Sequence, residues 1–204
     1  MMHGFPGSGK THFARQLSES IRAAHINSDR IRGELFDKPR YDTEENQVIE
    51  HLMMYMAEEF LNLGVSVIYD NDSSSPKRRK LLQDLAKRNH SVPVLIWFQI
   101  DRDTAFHRTT KRDRRRVDDK YARTFTKQSF DSTITSMQNP RSDEDYIVLS
   151  GKHSFQMQRS ALIKRLYDHN LVNADTASSN VIKPGMVNLV PGRDDLLHRN
   201  IRIR

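Results

Sequence analysis

The chain has 204 residues and carries a net charge of +7, from 33 Lys and Arg against 26 Asp and Glu. With no cysteine, a disulfide framework and a thiolate-bound metal site are excluded. The mean hydropathy is -0.73, and no apolar run approaches the ~18 residues that a bilayer-spanning helix needs. No basic-then-apolar leader is evident, so the cytoplasm is the expected compartment. The length predicts one domain with an appendage.

Residues 1–3 read as a very short first strand, where a buried strand of four or five apolar residues is the usual form. Gly4-Phe5-Pro6-Gly7-Ser8-Gly9-Lys10-Thr11 follows and fits G-x-x-x-x-G-K-[ST]. Small residues at this spacing let successive backbone N–H groups curl around a phosphate, and the next helix aims its positive end at the same anion. Gly4, Pro6, Gly7, Ser8 and Gly9 are therefore candidate nucleotide-binding residues. Lys10 is expected to reach the β- and γ-phosphates, and the Thr11 hydroxyl to bind Mg²⁺. An amphipathic helix over residues 10–22 comes next, with Phe13, Leu17 and Ile21 on one side.

Residues 24–27 form the second strand candidate and lead into Ser28-Asp29-Arg30-Ile31-Arg32. A carboxylate at a strand end facing the phosphate loop suits a base that takes the proton of an attacking hydroxyl, which makes Asp29 a catalytic candidate. It would also cap a helical turn. Arg32 follows on the same face of that turn. Residues 44–63 predict a long helix whose Met53, Met54 and Met56 read as core filling. Residues 65–69 predict a third strand ending at Asp70, which is placed to hold the Mg²⁺ water shell or to orient Thr11; Asp72 is its substitute. Pro76 after a serine cluster begins a helix over residues 76–89. Residues 94–100 and 146–149 give two further strands, and residues 102–112, 126–138 and 154–170 three further helices.

Two segments are strongly basic. Residues 77–80 are Lys77, Arg78, Arg79 and Lys80, and residues 111–116 contain Lys111, Arg112, Arg114, Arg115 and Arg116. Such surfaces attract polyanions. A mobile basic lid over residues 108–125 would neutralise charge at a transferring phosphoryl group, with Arg112 as its main arginine and Arg108 and Arg114 as rivals for the donor. Tyr121 and Phe125 are the nearby rings able to stack on a base. Residues 171–204 read as a linker and tail of no assigned role, and the nine His show no HExxH spacing.

Alternating short apolar strands and amphipathic helices imply a three-layer α/β fold with a parallel sheet, residues 1–170 forming one domain. The segments GFPGSGKT, INSDRIRGELF, VIYDNDSSSPKRRKLL and HRTTKRDRRR resemble P-loop kinases of the polynucleotide-kinase and zeta-toxin type. That resemblance covers about residues 1–168. It implies a sheet in the order 2-3-1-4-5, ATP or GTP as donor, Mg²⁺, and transfer of the γ-phosphoryl group to a hydroxyl. It matches Lys10 and Thr11 to the phosphate-loop pair, Asp29 to the base, Arg32 to the acceptor-side arginine, Asp70 to the third-strand acid and Arg112 to the lid arginine. The acceptor it first suggests is a nucleic-acid 5′-OH, tracked by the basic groups of residues 77–80 and 111–116. A small-molecule kinase acting on a nucleotide sugar or nucleoside, and a nucleotide-dependent binding module, are the alternatives. Oligomeric state has no signal in the sequence.

Overall fold

In the computed structural model, residues 1–117 and 119–171 are described. Five short parallel strands alternate with seven helices among these residues: β1 (Met2–His3), α1 (Lys10–Ile21), β2 (Ala24–Asn27), α2 (Ser28–Leu35), α3 (Thr43–Asn62), β3 (Val67–Asp70), α4 (Pro76–Arg88), β4 (Ile96–Gln99), α5 (Arg102–Thr110), α6 (Lys127–Ser136), β5 (Ile147–Ser150) and α7 (Phe155–Asp168). The expected linker and tail, beyond Leu171, lie outside the described residues.

The strands form two ladders, β2-β3 and β1-β4-β5. Both blocks agree with the order 2-3-1-4-5. The junction between them differs from a full ladder: it is a Ser73 N–H to Met2 C=O bond of 3.3 Å. The cause is the length of β1. With two residues it can pair Met2 with Ile96 and His3 with Trp97 on one side, and little backbone is left for the other. Both residues are nonetheless fully enclosed. His3 occupies an interior strand position because its ring nitrogens lie 3.2 Å from Ser73 O and 3.2 Å from Asn139 Oδ1.

Apolar residues cover both faces of the strands, as parallel strands require. Successive side chains of a strand point to opposite faces. In β3, Ile68 joins a cluster with Phe13, Leu17, Phe98 and Leu162. Its neighbour Tyr69 joins another with Ile26, Ile49, Met53 and Leu85. Helices α1 and α7 therefore lie on one side and α3 and α4 on the other, giving three layers. Met53 is fully buried, and Met54 and Met56 pack against its cluster, as core filling.

Most helices start where the sequence signals a start. Ser75 accepts from Arg78 N–H ahead of Pro76, and Asp101 and Ser154 cap α5 and α7 in the same way. The exception is α2, which the sequence suggests only as a turn. Its one buried residue is the charged Arg32, so no apolar stripe announces it. Asn27 makes the helix by capping it, with Oδ1 accepting from Arg30 N–H at 2.7 Å.

The basic run over residues 77–80 is not the continuous exposed track that its composition suggests. Arg79 is fully buried. Its guanidinium is ion-paired to Glu144 at 2.6 Å and donates to the carbonyls of Ser73 (3.0 Å) and Gln138 (2.8 Å). It ties the start of α4 to the loop before β5. Arg78 is chelated by Glu50. Only Lys77 and Lys80 of the four are exposed. Helical periodicity explains this, since four consecutive residues point in four directions. Removing one partner of a buried ion pair strands the other. Arg79→Ala should therefore lower unfolding stability by about 3–5 kcal/mol in urea denaturation, whereas Lys80→Ala should change it by less than about 0.5 kcal/mol.

Candidate functional site

The carboxyl ends of β1, β2 and β3 and the start of α1 open on one cleft of about 1210 Å³. The phosphate loop, residues 4–11, forms one wall. Gly4, Gly7 and Gly9 have positive φ values of 138°, 82° and 97°, a region where an L side chain is strained. Gly4 and Gly7 are also gripped from outside. A Cβ on Gly4 would lie 2.5 Å from the Phe98 carbonyl oxygen, and one on Gly7 would lie 2.2 Å from that of Ala105. A third contact was not legible in the sequence: a Cβ on Gly151, just beyond β5, would lie 2.5 Å from the Ser8 carbonyl oxygen.

Gly4, Pro6, Gly7, Gly9, Lys10 and Thr11 all line the cleft. Ser8 is turned inward and fully buried, with its N–H donated to Phe5 O at 3.0 Å, so it shapes the loop from within. The Lys10 ammonium is held by the carbonyls of Gly4 (2.5 Å) and Phe5 (2.9 Å). Burial pushes its pKa down, countered by the carboxylates of Asp72 and Asp70. This backbone cradle, at the N-terminus of a 12-residue helix with a desolvated cation beside it, fits a polyphosphate.

The opposite wall comes from β2, α2 and β3. Asn27 and Asp70 are register partners at the ends of their strands, so their side chains meet. Asp70 Oδ2 accepts from Asn27 Nδ2 at 2.6 Å and from His25 Nε2 at 3.0 Å. Asn27 in turn caps α2, which carries Asp29 in its first turn. Asp70 thus positions Asp29 through Asn27, a role that its place as the third-strand acid does not reveal. Asp72 stands next to it with a buried Oδ1 that has no hydrogen-bond partner. Burial, followed by repulsion from Asp70, raises the Asp29 pKa; Arg112, the Arg123 backbone N–H and Arg32 oppose that rise.

Arg32 lines the cleft but is committed to the protein. It is buried, ion-paired with Glu45, bonded to Asn46 Oδ1 at 2.7 Å and laid against the Tyr41 ring at 4.6 Å. Glu45 also accepts the N–H groups of Arg40 and Tyr41. Although burial works against its ionisation, these bonds hold its carboxyl below the usual range. The knot keeps Tyr41 at φ 59°, a left-handed conformation that costs roughly 1–2 kcal/mol for a bulky residue.

The segment between α5 and α6 roofs the cleft. Arg108, Lys111, Arg112, Arg115 and Arg116 line it; Arg114 is exposed and does not. Arg108 donates to Gly151 O at 2.8 Å, and Arg115 is paired with Asp113 at 3.0 Å. Arg112 exerts its charge on both Lys10 and Asp29. Tyr121 packs on Gly33, and its hydroxyl donates to Glu34. Phe125 stands edge-on to Phe130, ring centroids 6.2 Å apart. Both rings proposed for base stacking line the cleft and also contact neighbouring residues. Arg123, Tyr41 and Glu45 are residues of this site that the sequence did not single out.

Residues 1–140 match the model of the family described as AAA domain, and the chain belongs to that family. No curated protein matches its sequence. Solved structures with the same fold include a sugar kinase from Janibacter sp. HTCC2649, with 15% identity over 89% of this chain and 96% of that one at a TM-score of 0.56. A gluconokinase from Sinorhizobium meliloti 1021 aligns at 12% identity over 82% of this chain and 94% of that one, also at a TM-score of 0.56. A protein of Chloroflexus aurantiacus J-10-fl named as a kinase gives 12%, 84%, 96% and a TM-score of 0.60. Within the described residues no helix is long and apolar enough to cross a membrane.

A raised Asp29 pKa means that the folded chain holds that proton more tightly than the unfolded one. Stability then falls as pH climbs from the ordinary carboxylate value, 3.8, through the folded one. Asp29→Asn should melt higher than wild type at pH 7, and the difference should close below pH 3.8, where both chains are neutral at this position. Melting curves of the two proteins across that range check this.

Proposed function

We propose that this protein is a P-loop kinase that moves the γ-phosphoryl group of ATP or GTP to a hydroxyl of a small polyhydroxylated molecule. The observation that carries the reading is that the phosphate loop with Lys10, the carboxylate of Asp29 and Arg112 all line one cleft. The likeness to a sugar kinase and a gluconokinase favours a small acceptor over a nucleic-acid end. So does the division of residues 77–80 between interior and surface. The finer polynucleotide-kinase or zeta-toxin assignment has no such support.

Bound with Mg²⁺, the nucleotide supplies an activated γ-phosphoryl group. The loop N–H groups and the α1 N-terminus bind its phosphates. Lys10 and Arg112 balance the charge on the transferring group, and Arg108 braces the roof. Thr11 would supply the hydroxyl ligand for Mg²⁺. Of the two acids, Asp72 offers the unpartnered oxygen, whereas Asp70 Oδ2 is already bonded twice. Such a set suits Mg²⁺, which keeps most of its ligands as water and phosphate. Asp29 takes the proton of the acceptor hydroxyl as its oxygen forms the new P–O bond and the bond to the β-phosphate breaks.

Incubation with γ-labelled ATP and a panel of sugars, sugar acids, nucleosides and 5′-OH oligonucleotides tests this. Label should pass to a sugar-like acceptor. Asp29→Asn should slow that transfer by roughly 10² or more. In wild type kcat/KM should rise with pH through an acid limb lying above the ordinary carboxylate range, because the base works only when ionised. Transfer to oligonucleotides alone would overturn the small-acceptor reading.

A further inference from the structure

Four arginines line the cleft beyond Asp29: Arg30, which is exposed, and Arg32, Arg78 and Arg123. Two are neutralised by the protein. Arg32 is paired with Glu45, and Arg78 is chelated by Glu50 through Nε at 2.8 Å and Nη2 at 3.0 Å. Arg123 differs. Among the described residues its guanidinium has no carboxylate partner. It lies against two aromatic rings, 4.7 Å from the centre of Tyr41 and 5.0 Å from that of Phe125. Ring contacts hold the flat face of a guanidinium and leave the N–H donors around its edge open.

This placement is built. Tyr41 is held in its left-handed conformation by the Glu45 knot, and Phe125 is anchored on Phe130. Arg123 and Asp29 line the same cleft, so guanidinium and carboxylate serve one site. Arg112 exerts its charge on Lys10 and Asp29, while Arg123 lies against the rings of Tyr41 and Phe125. On the kinase reading the donor phosphates would face the loop, Lys10 and Arg112. A further cation that lines the cleft without a carboxylate partner calls for an anion from the other substrate.

We propose that the acceptor is an anionic polyol, bearing a carboxylate or a phosphate ester, and that Arg123 binds this group while Asp29 faces the hydroxyl. The proposal rests on the kinase reading above. A planar guanidinium binds either anion through two parallel N–H bonds, so both sources share one chemistry.

Calorimetric titration with three probes of one carbon chain length separates them: sorbitol, gluconate and glucose 6-phosphate, each with a non-hydrolysable ATP analogue present. At least one of the two anions should bind, with sorbitol at least tenfold weaker. Arg123→Gln should weaken that anion roughly ten- to hundredfold, Arg123→Lys should recover part of the loss, and affinity for the ATP analogue should not change. Sorbitol binding as well as the anions, failure of both anions, or unaltered anion affinity in Arg123→Gln would overturn the proposal. So would a loss of analogue affinity in that variant, which would make Arg123 a donor residue. Circular dichroism verifies that the variant folds, and Arg123→Lys carries the comparison if it does not. A wild type that fails to bind the ATP analogue at all would instead sink the kinase reading itself. An intact nucleotide site with the wrong acceptor pattern sinks only the assignment of Arg123.

Discussion

Backbone pressed against backbone, with no side chain between, fixes the phosphate loop. Gly4 meets the Phe98 carbonyl on β4, Gly7 meets the Ala105 carbonyl on α5, and Gly151 meets the Ser8 carbonyl from the end of β5. Any Cβ at these points would force the elements apart. The loop therefore takes its curvature from the two strands and the helix around it rather than from its own sequence alone. That grip aims α1 at the cleft and holds Lys10 at its edge. It also explains how a two-residue first strand suffices: much of the loop's support comes from its neighbours.

Buried carboxylates organise the facing wall. Asp70 joins β3 to β2 by taking Asn27 and His25, and Asn27 caps the helix that carries Asp29. Glu45 gathers Arg32 and the N–H groups of Arg40 and Tyr41. Each acid spends its charge on placing another residue. Asp29 and Asp72 also line the cleft, and Asp29 carries a raised pKa because burial and Asp70 both resist its ionisation. A group so poised is suited to proton transfer.

The phosphate loop was legible because its residues act as neighbours in sequence, and Gly4, Gly7, Gly9, Lys10 and Thr11 line the cleft as the spacing implies. The strands were legible as short apolar runs, with ends displaced by one or two residues. What escaped depends on distant partners. Arg79 looks like any member of a basic run until Glu144, 65 residues away, is brought against it. Helix α2 lacks an apolar stripe because its buried residue is Arg32. Tyr41 and Arg123 carry no motif; they matter because one strained turn and one roof segment meet. Gly151 is an ordinary strand-end glycine until the Ser8 carbonyl arrives. Arg114 shows the converse, a residue that pattern placed in the site and geometry leaves outside.

The central claim is that the glycine-gripped loop and Lys10 form a nucleotide site facing Asp29. Calorimetric titration of Mg²⁺-ATP into wild type and Lys10→Ala tests it most directly. Wild type should bind saturably and one-to-one, and the variant at least tenfold more weakly, corresponding to about 1.4 kcal/mol or more, with the fold intact. No binding to wild type, or equal binding to both proteins, would contradict it.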